Sequence, residues 1–223
     1  MSLLRRIQDA TVDPNFKLAD VLRMCKILAA RLEHPAFKEW IGQELNGYKD
    51  WKQVPDYRIL ENLSCRGDFL SPFGNSLKNA PISIIDLPEE FREKFREAVS
   101  TKYVLQSVSA LESIVGQANQ ANQSLLRQFF VADTLPLLND NIYPNMSCRQ
   151  AWTDIPTAEF VAVLDTVKSR ILDFVIEIEV KEPNAGDVEP GVKPIPEQTI
   201  NYIFNKCVLN HPNQSTLSRL TIQ

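Results

Sequence analysis

The sequence predicts an α+β fold, mainly α: a helical bundle with a small antiparallel β insert, then a linker and a short C-terminal tail. Three observations predict it. Apolar residues recur at steps of three and four from Leu18 to Leu45 and again from Phe160 to Ile178, the period of an amphipathic helix. Between Tyr57 and Ile85 the spacing falls towards two and is broken by Gly67 and Gly74-Asn75, which reads as a hairpin or three short strands. From Lys181 to Pro196 the chain collects Pro183, Gly186, Pro190, Gly191, Pro194 and Pro196, the composition of a linker. The expected organisation is a mainly helical domain over residues 1–182, with its β insert at about 57–85, and a linker plus tail over 183–223.

Taken in order, Ser2 is placed to cap a short helix over Leu3 to Ala10, because a serine hydroxyl satisfies a free N–H at a helix start. Leu18, Val21, Leu22, Cys25, Leu28, Ala29 and Leu32 form the apolar stripe of the next helix, with Asp20 in its first turn, where a carboxylate suits the positive end of the dipole. His34-Pro35 ends that helix and opens another. Phe37, Trp40, Ile41 and Leu45 give the second stripe, and Gly47 stands where a left-handed cap belongs. A connection this short makes the two helices an antiparallel hairpin.

Past the β insert, Leu87-Pro88-Glu89-Glu90 reads as a helix start, with Phe91, Phe95, Ala98 and Val99 inside. Tyr103 to Val115 reads as helix, and GQANQANQ as a loop or an exposed continuation of it. Leu125 to Leu138 is apolar, with Pro136 limiting any helix. MSCRQAWTDI reads as a short helix or turn around Trp152. Ile155-Pro156-Thr157 then leads into the longest helix, about five turns ending near Val180. The last stretch from Thr199 begins with β-branched and aromatic alternation and is too short to bury a core of its own.

The bulk numbers exclude several classes. With 223 residues, the chain buries roughly 70% of its unfolded surface and needs no disulfide or metal to fold. A net charge of -4 gives no strong nucleic-acid signal, because a phosphate-binding surface would carry a basic excess. Cys25, Cys65, Cys148 and Cys207 show no C-x-x-C spacing, and with only His34 and His211 no zinc pattern can be built. Unpatterned cysteines suit a reducing cytoplasm. MSLLRRIQDA has no long apolar run, so it does not read as a signal peptide, and no stretch reaches a membrane span. Phosphate-binding glycine loops and the G-x-S-x-G elbow are absent, and no cofactor is named by any motif.

The richest polar constellation is Glu44, Asn46, Tyr48, Asp56, Tyr57 and Arg58. One reading is a polar pocket at the end of the helical hairpin, where Asp56 and Arg58 move protons or grip phosphate or carboxylate. The other is structural: Glu44 and Asn46 cap backbone groups while Asp56 and Arg58 pair to pin the loop. Glu179-Val-Lys181 is a formal E-x-K, which metal-dependent nucleases place on a strand so that both residues face one metal-bound water. Here it ends a helical pattern, where alternate residues share no face.

Four phrases together resemble the AbiTii-type abortive-infection domain of bacterial antiphage defence. They are SLLRRIQDA, LADVLRMCKILAARL, FKEWIGQELNGY followed by PDYRI, and MSCRQAW with VLDTVKSRILDFVIEIE. The resemblance covers most of residues 1–182, and ELNGY followed by PDYR is its most specific part. It implies a cytoplasmic bacterial protein that halts growth or kills the host cell on infection. It adds Arg170 to the candidate residues and brings no reaction with it. After Asn205 the chain reads KCVLNHPNQSTLSRLTIQ, without the Gly-rich tail of the family pattern, which puts any tail function in doubt. The function expected is an abortive-infection effector. The alternatives are a non-enzymatic sensor or interaction module, with a homo-oligomer or a defence-system protein as partner, and, more weakly, a metal-dependent nuclease toxin.

Overall fold

A computed structural model describes residues 1–189 and 192–209. Pro190 and Gly191 of the expected linker, and the altered tail from residue 210 with His211, lie outside the described residues. The elements in chain order are α1 (Leu3–Val12), α2 (Leu18–Arg31), α3 (Pro35–Asn46), β1 (Ile59–Leu60), β2 (Ser64–Leu70) and β3 (Ser76–Ile82). They continue with α4 (Glu89–Phe95), β4 (Lys102–Tyr103), α5 (Val108–Gln120), β5 (Leu125–Phe129), β6 (Ser147–Pro156), α6 (Thr157–Lys181) and α7 (Glu197–Phe204). The fold is α+β and mainly α, with two small antiparallel sheets among the described residues. The chain divides into two compact units. Unit 1 is Met1–Tyr57, Leu105–Gly116 and Val161 onward; unit 2 is Arg58–Val104 and Gln117–Phe160.

Unit 1 is helical. The Ser2 hydroxyl accepts from the Arg5 N–H at 3.3 Å and caps α1. Leu18 N–H, at the start of α2, donates to Glu112 at 2.7 Å. His34 Nδ1 accepts from Phe37 N–H at 3.0 Å, so the histidine before Pro35 is the cap of α3. Phe37 lies tilted against Phe174 of α6, with ring centres 4.2 Å apart, and Phe204 of α7 meets both. Residues 183–189 pack rather than hang free: Ala185 is fully buried, Gly186 lies against Leu3 and Leu4, and Asp187 accepts from Leu3 N–H at 3.1 Å. Beyond them the chain enters α7, and Ile200, Ile203, Phe204, Cys207 and Val208 are buried.

Unit 2 holds the sheets. The larger has strand order β3-β2-β6-β5, and β1 pairs with β4 in the smaller. The segment at about 57–85 supplies only β1, β2 and β3; the sheet takes two further strands from residues 125–156. MSCRQAWTDI is therefore strand and not helix or turn. Its residues 151–155 are all buried, because β6 is flanked by β2 and β5 and both its faces are covered. Gly74 turns the β2–β3 hairpin at φ +84°. Gly67 is needed at its place, since a Cβ there would stand 2.9 Å from the Gln150 carbonyl oxygen of the neighbouring strand. Cys65, Phe69, Ile82, Leu87, Phe95, Val99, Leu138 and Ala151 form the core under the sheet.

Candidate functional site

The site grows out of the helical period of α3. Phe37, Trp40, Ile41 and Glu44 are its buried residues, the i, i+3, i+4, i+7 series of one helix face. The inward position expected for Leu45 is thus taken by a carboxylate. Gly47 ends the helix at φ +84°, and a Cβ there would meet the Leu105 carbonyl oxygen at 2.6 Å. Only glycine fits both the conformation and the approach. Tyr48 follows and donates its N–H to that same carbonyl at 2.8 Å.

This exit brings Tyr48 back onto the helix. Its hydroxyl donates to Glu44 Oε1 at 2.7 Å, and the Tyr57 hydroxyl donates to the same oxygen at 2.7 Å. Trp40 Nε1–H donates to the Tyr57 oxygen at 3.1 Å. Glu44 is 0% exposed, so a fully enclosed acid is satisfied by a chain of ring donors, as a buried polar group requires.

Arg170 brings the cation. It lies on the buried side of α6 with Val167, Ile171 and Phe174, and is 3% exposed. Its guanidinium carbon stands 4.2 Å from the centre of the Tyr57 ring, within range of a cation–π contact. Nη1 donates to the Val208 carbonyl, and Nε has no hydrogen-bond partner among the described residues. Burial pushes the guanidinium below its usual range, while Tyr57, Glu44, Tyr48 and Asp56 push it back up. Arginine starts so high that it stays charged.

Of the seven residues expected at the site, the structure gathers Glu44, Tyr48, Tyr57 and Arg170. Asp56 is exposed and acts on Arg170 through its field. Asn46 is exposed and donates to the Gly42 carbonyl at 2.8 Å. Arg58 belongs to unit 2, is 0% exposed, and donates to the Val104 carbonyl at 3.0 Å. Trp40 is the member that the sequence reading left as packing. Its indole N–H gave no separate signal, because its spacing is that of a core residue.

A family model described as AbiTii matches residues 2–200. The chain belongs to the AbiTii family. No curated protein and no solved structure gives a match. The AbiTii span contains every residue of the Glu44 cluster and ends before the altered tail. AbiTii membership supports a role in abortive-infection defence.

The AbiTii span also contains a second carboxylate network, in unit 2. Asp154 of β6 is met by Arg127 Nε at 3.3 Å and Arg66 Nε at 3.6 Å. The Arg127 guanidinium also lies 4.6 Å from the centre of the Trp152 ring. A cavity of about 270 Å³ opens beside them, lined in part by Glu61, Ser64, Arg66, Asp154 and Glu159. Nothing in the sequence announced this network, because Arg66, Arg127 and Asp154 are joined only by strand register.

Other AbiTii candidates separate from chemistry. The E-x-K lies inside α6, where Glu177 pairs with Lys206 at 2.8 Å and Glu179 accepts from Gln8 at 2.9 Å. Burial pushes the thiols of Cys25, Cys65 and Cys207 up, and that of Cys148 up to about 11. Thiols held protonated are poor nucleophiles. Among the described residues, no three acidic, histidine or cysteine side chains converge as a metal site. No helix among them is long and apolar enough to cross a membrane.

Proposed function

We propose that the protein is an abortive-infection effector that acts in the bacterial cytoplasm, with its working site at Glu44, Tyr48, Tyr57 and Arg170. The observation that carries the reading is the place of Glu44. It occupies a position on the apolar stripe of α3 where a leucine would pack without desolvating a charge. Keeping a buried acid beside a buried guanidinium costs free energy that a hydrophobic pair would not, and such groups gather at working sites. Asp56 sits at the solvent edge of this set, and Asn46 and Arg58 flank it in the chain. Family membership supports the defence role.

Induced expression in a bacterial host tests it. Wild type lowers the count of viable cells after induction or after phage challenge. Tyr57→Phe, at equal soluble level and with an unchanged helical spectrum, restores growth. Unchanged growth of the wild type, with and without phage, removes the effector reading.

A second reading is a non-enzymatic sensor or interaction module, alone, as a homo-oligomer, or with a defence-system protein. The enclosure of Glu44 favours it, since a satisfied and buried acid is also what a rigid scaffold keeps. It expects a stoichiometric partner on purification, with Asp56→Ala silent. The nuclease alternative expects loss of RNA or DNA that a chelator stops. Intact nucleic acid with added magnesium or manganese ends it.

A further inference from the structure

β5 closes one side of the larger sheet, and no strand covers its outer side among the described residues. The bonds on its inner side fix which groups face out. Thr157 N–H donates to the Ser124 carbonyl and Phe130 N–H to the Ala151 carbonyl, each at 2.9 Å. Antiparallel bonding alternates along a strand, so residues 124, 126, 128 and 130 turn their backbone groups towards β6. Leu125, Arg127 and Phe129 turn theirs away. A bare row of this kind is a template for another strand unless proline, lysine or a bulge blunts it. LLRQF holds no proline and no lysine, and its register with β6 runs unbroken. Leu125 and Phe129 are 42% and 58% exposed, and an open groove of about 750 Å³ follows residues 122–127.

The inner neighbour shows what kind of strand these side chains accept. Opposite Phe129, Arg127 and Leu125 stand Trp152, Asp154 and Pro156, an acid with apolar residues two positions to either side. Arg127 meets that acid at 3.3 Å yet keeps 47% of its side chain exposed. A guanidinium has five donors, so one carboxylate does not exhaust it. A β5 strand from a second copy, paired about its centre, would set Arg127 against its own copy, and like charges directly opposite destabilise a sheet. An acid there has the complementary sign.

We propose that the outer edge of β5 binds an extended segment of another protein by strand addition. Its central Asp or Glu faces Arg127, and apolar residues two positions away face Leu125 and Phe129. This stands on unit 2 alone and does not depend on the reading of the Glu44 cluster.

The probe is a fluorescent synthetic peptide with a central aspartate, valine two positions to either side and threonine between. Its control carries lysine at the centre. The aspartate peptide binds wild-type protein about tenfold more tightly than the lysine peptide. It also slows hydrogen exchange at the Leu125, Arg127 and Phe129 amides. Leu125→Pro removes an outward N–H at the first residue of the strand, where proline is tolerated. It weakens peptide binding while the unfolding midpoint stays in place. Equal binding of the two peptides, unslowed exchange at the three amides, or undiminished binding by the folded proline variant overturns the proposal. Protection of those amides that rises with protein concentration alone assigns the edge to a second copy and overturns it as well.

Discussion

Among the described residues, Glu44 and Asp154 are the buried carboxylates, and their surroundings differ. Glu44 accepts from two tyrosine hydroxyls inside a closed helical core, and Arg170 is set over the face of one of the donating rings. Asp154 is met directly by two guanidiniums whose side chains stay 39% and 47% exposed. The Asp154 pairs are the more screened of the two arrangements. Water and salt reach the Arg66 and Arg127 ends of these pairs and weaken them. Around Glu44 no solvent takes over when one member is lost, so each deletion leaves a buried group stranded.

The largest effect that follows is at Arg170. Arg170→Met removes the cation over the Tyr57 ring and leaves the buried Val208 carbonyl without its donor, which lowers unfolding free energy by about 3–5 kcal/mol in urea titration. Next comes Tyr57→Phe, which removes one donor from Glu44 and strands Trp40 Nε1–H, at about 1–3 kcal/mol. In unit 2, Asp154→Asn costs less than about 1 kcal/mol, and the loss shrinks as salt is added. A cost for Asp154→Asn above that for Tyr57→Phe would break the contrast. The smallest effect lies in acid. The Asn79 N–H and the Gln150 amide hold the Asp68 carboxyl below the usual carboxylate range. Its unfolded value, about 4, is the higher of the two. Its stabilisation is therefore complete above that pH and is lost as the pH falls through the lower folded value. Unfolding midpoints of wild type and Asp68→Asn should converge as the pH drops from 6 towards 2.

Helices were legible where one face is buried. α2, α3 with its Gly47 cap, and α6 follow their apolar stripes closely. β6 was not legible, because residues 151–155 are all buried and a strand covered on both faces loses its alternation. α7 was hidden by its length of 8 residues, too short for a period to show. At the site, Tyr48 and Tyr57 stood out as polar aromatics near a helix end. Glu44 had a sharper signal than the one used: it completes the series 37, 40, 41, 44 on which every other member is apolar. Arg58 stood out as a charge beside Tyr57, and its full burial was not legible, because its immediate neighbours in sequence mix polar and apolar residues.

That unit 1 is built from three separated stretches of chain bears on how the protein is made. A ribosome delivers Trp40, Glu44 and Tyr57 well before Arg170 and the Val208 carbonyl that receives its hydrogen bond. The strands of unit 2 emerge in between and can pair first. Contacts between residues so far apart in sequence form slowly. A nascent chain thus carries Glu44, Tyr48 and Tyr57 without Arg170 until the strands of unit 2 have emerged, and a product cut short before residue 170 never acquires the completed cluster.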